Sequence, residues 1–345
     1  MPPFVRERID PPLSSNPYAD HVRHALWLAY RGAQPVGRIS AQVDYLYLSR
    51  HRNRTGFFGM LEAPDDPSVF RALLGTAETW LRSQGIEYVV GPVSLSLGKE
   101  SGILMADFEG SPTARKDHAP GYHADRLAEQ GYSKEKDLLA FSLLCREFRT
   151  TRAMASITRR KPENVRVRPL DKPRLDRDLV LLREIFDDAW SGYWGFVPPT
   201  SVDFKELGQL LRLLADPAFV QIAEIDGYPA AMLVMLPNLH ETAHDLHGRR
   251  LSLDRLKQLW RLKMAPPTSG RIALMGVRRA YQRRRLGAAA VFLMMEALRQ
   301  VLARRGIEHI DMAPVLEDNW NMRSILDSTG ASLSRRYRIY GKGID

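Results

Sequence analysis

Near the start of the chain an apolar run, Ala25–Tyr30, is followed by a second, Val36–Val43, which alternates apolar and polar positions from Arg38 onward. The two are separated by Arg31-Gly-Ala-Gln-Pro35, and strand-like runs punctuated by Gly32 and Pro35 predict a β-hairpin within His24–Asp44. Thr55–Leu61 reads as a short apolar strand. Phe70, Leu73, Leu74, Ala77 and Leu81 then recur at helical spacing within Ser68–Ser83, and Gly85 closes that helix before a strand at Ile86–Val90. The same order returns downstream. Phe219–Glu224, the turn Ile225–Tyr228 and Ala230–Leu236 predict a second hairpin, followed by a strand at Arg271–Val277, a helix at Gly287–Arg304 and a strand at Gly306–Asp311.

Gly85-Ile86-Glu87 and Gly306-Ile307-Glu308 thus occupy equivalent helix-to-strand junctions, which points to one α/β unit repeated in tandem around a basic connector, Thr150–Glu163. Two unrelated α/β units with coincident junctions are the alternative. The second copy opens with a strand, Val165–Leu170, and a helix, Leu175–Trp190, that have no counterpart in the first. Either the first repeat has lost them or the chain as written begins late.

Length and composition fit that plan. At 345 residues the chain exceeds what one core usually serves, and 44% apolar with 26% charged residues favours neither disorder nor a membrane-embedded class. There is no run of about 18 apolar residues, and Met1–Arg6 lacks the apolar region of a signal peptide, so a cytoplasmic protein is expected. The single cysteine, Cys145, excludes an intramolecular disulfide and a cysteine metal cluster. It lies in the apolar run Phe141–Cys145, which favours a packed thiol. A formal charge of +10 favours anionic partners. Nucleic acid has only that charge behind it, because no helix-turn-helix, zinc-finger or aromatic RNA-binding pattern is present.

The richest chemistry lies in Met275-Gly-Val-Arg-Arg-Ala-Tyr-Gln282-Arg-Arg-Arg-Leu-Gly287-Ala288. An apolar strand runs into a basic turn and then a helix, whose first N–H groups are unpaired donors at the positive end of the dipole and suit a pyrophosphate. This stretch resembles the acyl-CoA-binding element of the GNAT N-acyltransferases, a Gln/Arg-x-x-Gly-x-Gly/Ala turn between strand and helix. The resemblance implies that Met275, Gly276, Val277, Gln282, Arg283, Arg284, Arg285, Gly287 and Ala288 hold acyl-CoA as co-substrate, with no metal. Arg285 stands where the family has its first glycine. A solvated basic turn without a ligand is the plainer reading.

Downstream, Leu316-Glu317-Asp318-Asn319 and Asp327–Ala331 resemble the family's strand-end Asn and later glycine, so Asn319 joins the coenzyme residues by that resemblance. Leu326 falls where many acetyltransferases carry a Tyr general acid. Glu317 and Asp318 are the carboxylates nearest the coenzyme element in this pattern, and Glu317 is the candidate base for an amine nucleophile, against a role as cap or ion-pair partner.

A narrower resemblance runs through Asn16-Pro-Tyr18, Gly91-Pro-Val93, Ala189–Pro198, Leu316–Asn319 and Arg336–Tyr340, and is to tandem-GNAT bacterial proteins of the bacterial ceramide synthase type. It implies transfer of a fatty acyl group from CoA to the amine of a sphingoid base. Trp190, Tyr193 and Trp194, with Phe196, could wall an apolar acceptor pocket or pack the helix end on the sheet. Between Leu236 and Arg271 an insertion alternates Leu251, Leu253, Leu256, Leu259, Trp260 and Leu262 with basic residues. It reads as a basic amphipathic helix that packs on its own domain or lies on an anionic membrane. His118 and Tyr122 read as loop residues. His240-Glu-Thr-Ala-His244 has zincin spelling with no third ligand.

The expectation is therefore an α/β chain of two mixed-sheet GNAT-like domains in tandem. Residues 1–150 would form a degenerate domain without its opening strand and helix, serving as scaffold or acceptor site, and 164–345 the acyl-CoA-binding domain. The expected activity is acyl-CoA-dependent N-acyl transfer of a long chain to an amine, with peripheral contact at the inner face of the membrane. A non-catalytic acyl-CoA-binding protein is the alternative, motivated by Arg285 and Leu326.

Overall fold

The structure is a computed structural model and describes residues 21–94, 100–107, 120–200, 204, 207–209, 211–212, 216–238, 241 and 267–345. Asn16–Tyr18, His118, His240, His244 and the amphipathic stretch 251–263 lie outside the described residues. The chain divides into two compact units. Unit 1 holds 1–140, 314–319 and 333–345, and unit 2 holds 141–313 and 320–332. The second half of the sequence therefore gives two of its own segments to unit 1, where a division at about residue 150 would have kept them in the second domain.

In chain order the elements are β1 (Val22–Arg31), β2 (Gln34–Asp44), α1 (Tyr45–His51), β3 (Thr55–Glu62), α2 (Pro67–Ser83), β4 (Tyr88–Gly91), β5 (Val93–Ser94), β6 (Glu100–Ser101), β7 (Ile103–Asp107), α3 (Tyr122–Glu129) and β8 (Ser133–Leu144). There follow α4 (Arg152–Arg160), β9 (Val165–Pro169), α5 (Leu175–Trp190), β10 (Val220–Ile225), β11 (Tyr228–Pro237), β12 (Ser269–Val277), α6 (Arg285–Arg305), β13 (His309–Leu316), α7 (Trp320–Ser328) and β14 (Ser332–Gly343). The expected tandem plan is present: hairpin β1–β2, strand β3, helix α2 and strand β4 recur as hairpin β10–β11, strand β12, helix α6 and strand β13. The basic connector is itself helical, as α4, with Thr151 capping it through Met154 N–H.

In unit 1, β1 pairs antiparallel with β2 and β2 with β3, while β3 pairs parallel with β4; β14 then pairs antiparallel with β4 and β7. The hairpin turn is tighter than its sequence suggests, because the ladder reaches Arg31 opposite Gln34 and leaves Gly32 at φ +62°. One apolar cluster joins Ile39, Ala41, Val43 and Phe58 of the sheet to Phe70, Leu73, Leu74, Ala77 and Leu81 of α2. Burying the stripe of α2 rather than its local propensity is what stabilises that helix.

Unit 2 carries an apolar cluster on each face of its sheet. Ala231, Leu233 and Met235 pack with Ala289, Ala290, Met294 and Leu298 of α6, while Val220, Ile222, Met232 and Val234 pack with Leu182 and Ile185 of α5. By length and composition α6 could cross a bilayer, and half of its apolar stretch is buried as the core helix of this unit. Glu296, Arg299 and Gln300 interrupt its apolar sequence between Leu286 and Ala303, so it is not an unbroken apolar run.

Candidate functional site

β12 and β13 pair in parallel from Ser269 opposite His309 to Ile272 opposite Met312, and the pairing stops there. β12 continues to Val277, still paired with β11 on its other side. Among the described residues, no strand is registered against Ala273–Val277 on the β13 side. Met275 and Gly276 thus lie on a strand edge whose backbone is available to an extended ligand, since unpaired strand groups seek hydrogen-bond partners.

The chain leaves β12 through a short 3-10 turn at Arg279–Tyr281. Arg283 adopts φ +59°, a left-handed conformation unusual for a side chain with a Cβ, and α6 starts at Arg285. No side chain caps α6; among the described residues, the N–H groups of Arg285, Leu286 and Gly287 have no hydrogen-bond acceptor, while Ala288 N–H donates to Arg284 C=O. Arg283, Arg284 and Arg285 are exposed and form no ion pair with described residues. A helix N-terminus with free donors beside three exposed arginines has the geometry and charge that suit an anion.

Two of the expected coenzyme residues do something other than touch a phosphate. A Cβ on Gly287 would come within 2.1 Å of the Tyr281 carbonyl oxygen, so this glycine lets α6 pack on its own turn, and a bulky replacement would disturb the backbone as well as any ligand. Gln282 uses its side-chain amide to donate to Val277 C=O at 2.9 Å and Ala189 C=O at 3.2 Å. Both amide protons are engaged, so the side chain fastens the turn to β12 and to the end of α5. Arg285, at the first turn of α6, has no positive φ, so the absence of glycine there costs no backbone strain.

The end of α5 is tied to the same turn. Asp188 accepts from Arg279 N–H at 2.7 Å, Glu184 pairs with the Arg278 guanidinium at 2.9 Å, and Arg278 Nε donates to Pro229 C=O. Trp190 lies against Gly276: a Cβ there would meet the indole at 2.3 Å. Its ring stacks on Phe186 at 4.5 Å and stands 6.3 Å from Tyr193. Trp190, Tyr193 and Trp194 are half-buried, and Phe196 is buried with its ring 5.8 Å from Phe186. At its other end α5 is anchored by a buried carboxylate. Asp178 accepts both Arg168 Nη groups, at 2.7 and 2.8 Å, and Asp171 N–H. Burial alone would raise the Asp178 carboxyl, but the Arg168 bonds outweigh it and hold the group below its ordinary value.

Glu317 and Asn319 fall in unit 1, apart from the unit that holds Met275–Ala288. Glu317 binds Lys134 through Oε2 at 2.5 Å and Asp137 N–H through Oε1 at 3.1 Å, and Asp318 pairs with Lys136 at 2.9 Å. To act as a base Glu317 must first give up Lys134. Asp137 is buried and is clasped by Arg338 at 2.8 and 3.0 Å; burial raises its carboxyl, but Arg338 and Lys134 together hold it below the ordinary range. Asn319 N–H donates to Leu316 C=O immediately before α7. Leu326 is 2% exposed within α7, a core position that offers no acid to a ligand.

No protein-family model matches the chain. It is 39% identical over 344 residues to Protein YghO of Escherichia coli, covering 100% of this chain and 88% of that protein. It is likewise 39% identical over 344 residues to the bacterial ceramide synthase of Caulobacter vibrioides, covering 99% of this chain and 90% of that protein. The chain belongs to the bacterial ceramide synthase family. Among solved structures, a tandem GNAT protein from the clavulanic acid biosynthesis pathway superposes with a TM-score of 0.53 over 94% of this chain and 84% of that one. At 12% identity that likeness shows the fold alone. Family and fold together make the chain a GNAT-type acyltransferase.

For this member of the bacterial ceramide synthase family, sequence reading missed Glu184, Asp188 and Arg278. Glu184 and Asp188 are four apart, on one side of α5 and just ahead of the aromatic run, and that spacing is the signal that could have marked them. Their partners are about 90 residues away, so only the fold discloses the pairing.

Proposed function

We propose that the chain is an acyl-CoA-dependent N-acyltransferase that moves a long-chain acyl group from the coenzyme thioester to an amine such as that of a sphingoid base. The uncapped N-terminus of α6, set beside Arg283, Arg284 and Arg285, is the observation that carries this reading. It offers free donors and positive charge to a pyrophosphate. The β12 edge from Ala273 to Val277 can pair with the coenzyme's amide arm, and an N–H there can polarise the thioester carbonyl as negative charge develops on its oxygen.

The amine nitrogen attacks that carbonyl carbon, a C–N bond forms, the C–S bond breaks, and the coenzyme leaves as thiolate. The amine proton passes to solvent, and with Leu326 buried the thiolate takes its proton from solvent as well. The aromatic ledge Trp190–Tyr193–Trp194 supports an apolar acceptor, and the name of the Caulobacter relative is what suggests a sphingoid amine. Cytoplasmic residence fits a soluble coenzyme as donor.

The test is release of free thiol with a panel of acyl-CoAs and amines, long-chain sphingoid bases included. Turnover that requires both a long acyl chain and a long-chain amine is expected. Measurable coenzyme binding without thiol release for any pair would instead favour a binding protein that keeps the fold without turnover.

A further inference from the structure

Helix α5 ends on three successive residues that each grip a different part of the candidate coenzyme element. Asp188 Oδ2 accepts from Arg279 N–H at 2.7 Å, Ala189 C=O accepts from the Gln282 amide at 3.2 Å, and the Trp190 ring lies against Gly276. Gly276 belongs to the strand edge, Arg279 to the 3-10 turn and Gln282 to the basic turn before α6. Two of these grips have local reasons. The last carbonyls of a helix lack intrahelical partners, so Ala189 C=O needs a donor from elsewhere, and Trp190 gains from burying its ring. Nothing local favours Asp188. The last turn of α5 holds Asp187 and Asp188 and no basic residue, which sets negative charge at the negative end of the helix dipole. Asp188 forms no ion pair with described residues, and what its carboxylate meets is the Arg279 N–H, a first-turn donor with no helical acceptor.

The turn held in this way would not keep its shape unaided. Arg283 sits at φ +59°, and Arg283, Arg284 and Arg285 place three like charges in succession. A left-handed arginine and mutual repulsion both favour other conformations, and such strain persists only where surrounding contacts over-determine it. The neighbouring pair of Glu184 with Arg278 is solvent-exposed and contributes little, whereas the Asp188 bond is short and charge-assisted. A ligand that finds the turn already formed does not have to order it, which strengthens binding.

We infer that Asp188 is a positioning residue of the coenzyme site: through Arg279 N–H it holds the β12–α6 turn in the shape whose free N–H groups and arginines receive the pyrophosphate. What matters is its accepting oxygen and not its charge, which would oppose an anionic ligand. The role rests on acyl-CoA being the ligand of this turn, as proposed above. It is read out by comparing variants in binding rather than turnover, so that its failure and the failure of that reading give different results.

Calorimetric titration of the full chain with an acyl-CoA, beside melting temperatures, tests the role. Asp188→Ala should weaken binding by roughly tenfold, the size of one lost charge-assisted hydrogen bond, while Asp188→Asn, which keeps an accepting oxygen, should bind within about twofold of wild type. Arg279→Pro removes the N–H itself, at the first residue of a 3-10 turn and after Arg278, whose extended ψ of 142° suits a following proline. It should bind roughly tenfold more weakly than Arg279→Gln, which loses the same charge and keeps the N–H. In the Arg279→Pro background Asp188→Ala should have no further effect, because both remove one bond. Should Asp188→Ala fail to fold, the Arg279→Pro comparison decides. The role is overturned if Asp188→Ala binds as wild type does, whatever its melting temperature, if Asp188→Asn is as weak as Asp188→Ala, or if Asp188→Ala weakens binding further in Arg279→Pro. Wild type that binds no acyl-CoA overturns the proposed function and this role with it.

Discussion

Helices α2 and α6 hold the same place in their two units, each following the strand that pairs in parallel with the next, yet their first turns carry opposite chemistry. The N-terminus of α2 is closed. Asp66 accepts from Ser68 N–H at 2.8 Å and from its hydroxyl at 2.6 Å, Pro67 removes a donor, and Asp65 adds a second negative charge. The N-terminus of α6 is open, uncapped and flanked by three arginines.

The strands differ in the same sense. Parallel pairing of β3 with β4 stops at Phe57 opposite Val90, much as β12 and β13 part after Ile272 and Met312. In unit 1 the chain fills that place itself: a Cβ on Gly59 would meet Val93 C=O at 2.2 Å, Met60 N–H donates to Ser94, and Gln42 donates to Val93 C=O. On the proposed function, one α/β plan gives a scaffold where its helix start is capped and its strand edge covered, and a ligand site where both are left open.

The comparison can be broken at the α5 anchor, which unit 2 has and, among the described residues, unit 1 lacks. Arg168→Ala leaves Asp178 buried and unpaired, and should cost about 3 kcal/mol in urea unfolding. The contribution of Asp178 has a definite pH window. Its folded pKa is lowered, so the stabilisation is complete above its unfolded value, about 3.9, and is lost as pH falls through the folded value.

A second contrast concerns two helical glycines. Gly287→Ala forces a methyl against the Tyr281 carbonyl and should destabilise the protein by about 2 kcal/mol while weakening coenzyme binding. Gly75→Ala in α2 meets nothing within 4 Å and should stabilise by about 0.5–1 kcal/mol, since alanine is the better helix former. Paired thermal melts of the two variants check both signs.

Smaller effects sharpen the contrast between the two helix starts. Arg283→Gly relieves the φ of +59° and should add about 1 kcal/mol of stability, even as it removes a cation from the site. Asp66→Ala should lower the melting temperature slightly at pH 7 and not at pH 2. The Ser68 hydrogen bonds hold the Asp66 carboxyl down at about 2, so its contribution is present above the unfolded value and fades as pH falls towards 2.

Much of this was legible in the sequence, for identifiable reasons. α2 follows from an apolar stripe at helical spacing, and both hairpins from apolar runs set around turn residues. α1 and α7 are too short for periodicity to register. β14 and its pairing with β4, some 250 residues away, are disclosed only by the fold. The basic turn at the candidate site was visible as spacing and charge. The engagement of Gln282 with Ala189 and Val277, the hold of Lys134 on Glu317 and the burial of Leu326 were not, because each depends on residues brought together only by folding.

The central claim is that α6 and β12 make one coenzyme site while α2 and β3 make none. Calorimetric titration of the full chain with an acyl-CoA tests it most directly. One equivalent bound per chain is expected, with affinity falling roughly a hundredfold in Arg283→Gln/Arg284→Gln/Arg285→Gln, from about 1 kcal/mol per lost cation–phosphate pair. Two equivalents per chain, or unchanged affinity in that variant, would contradict it.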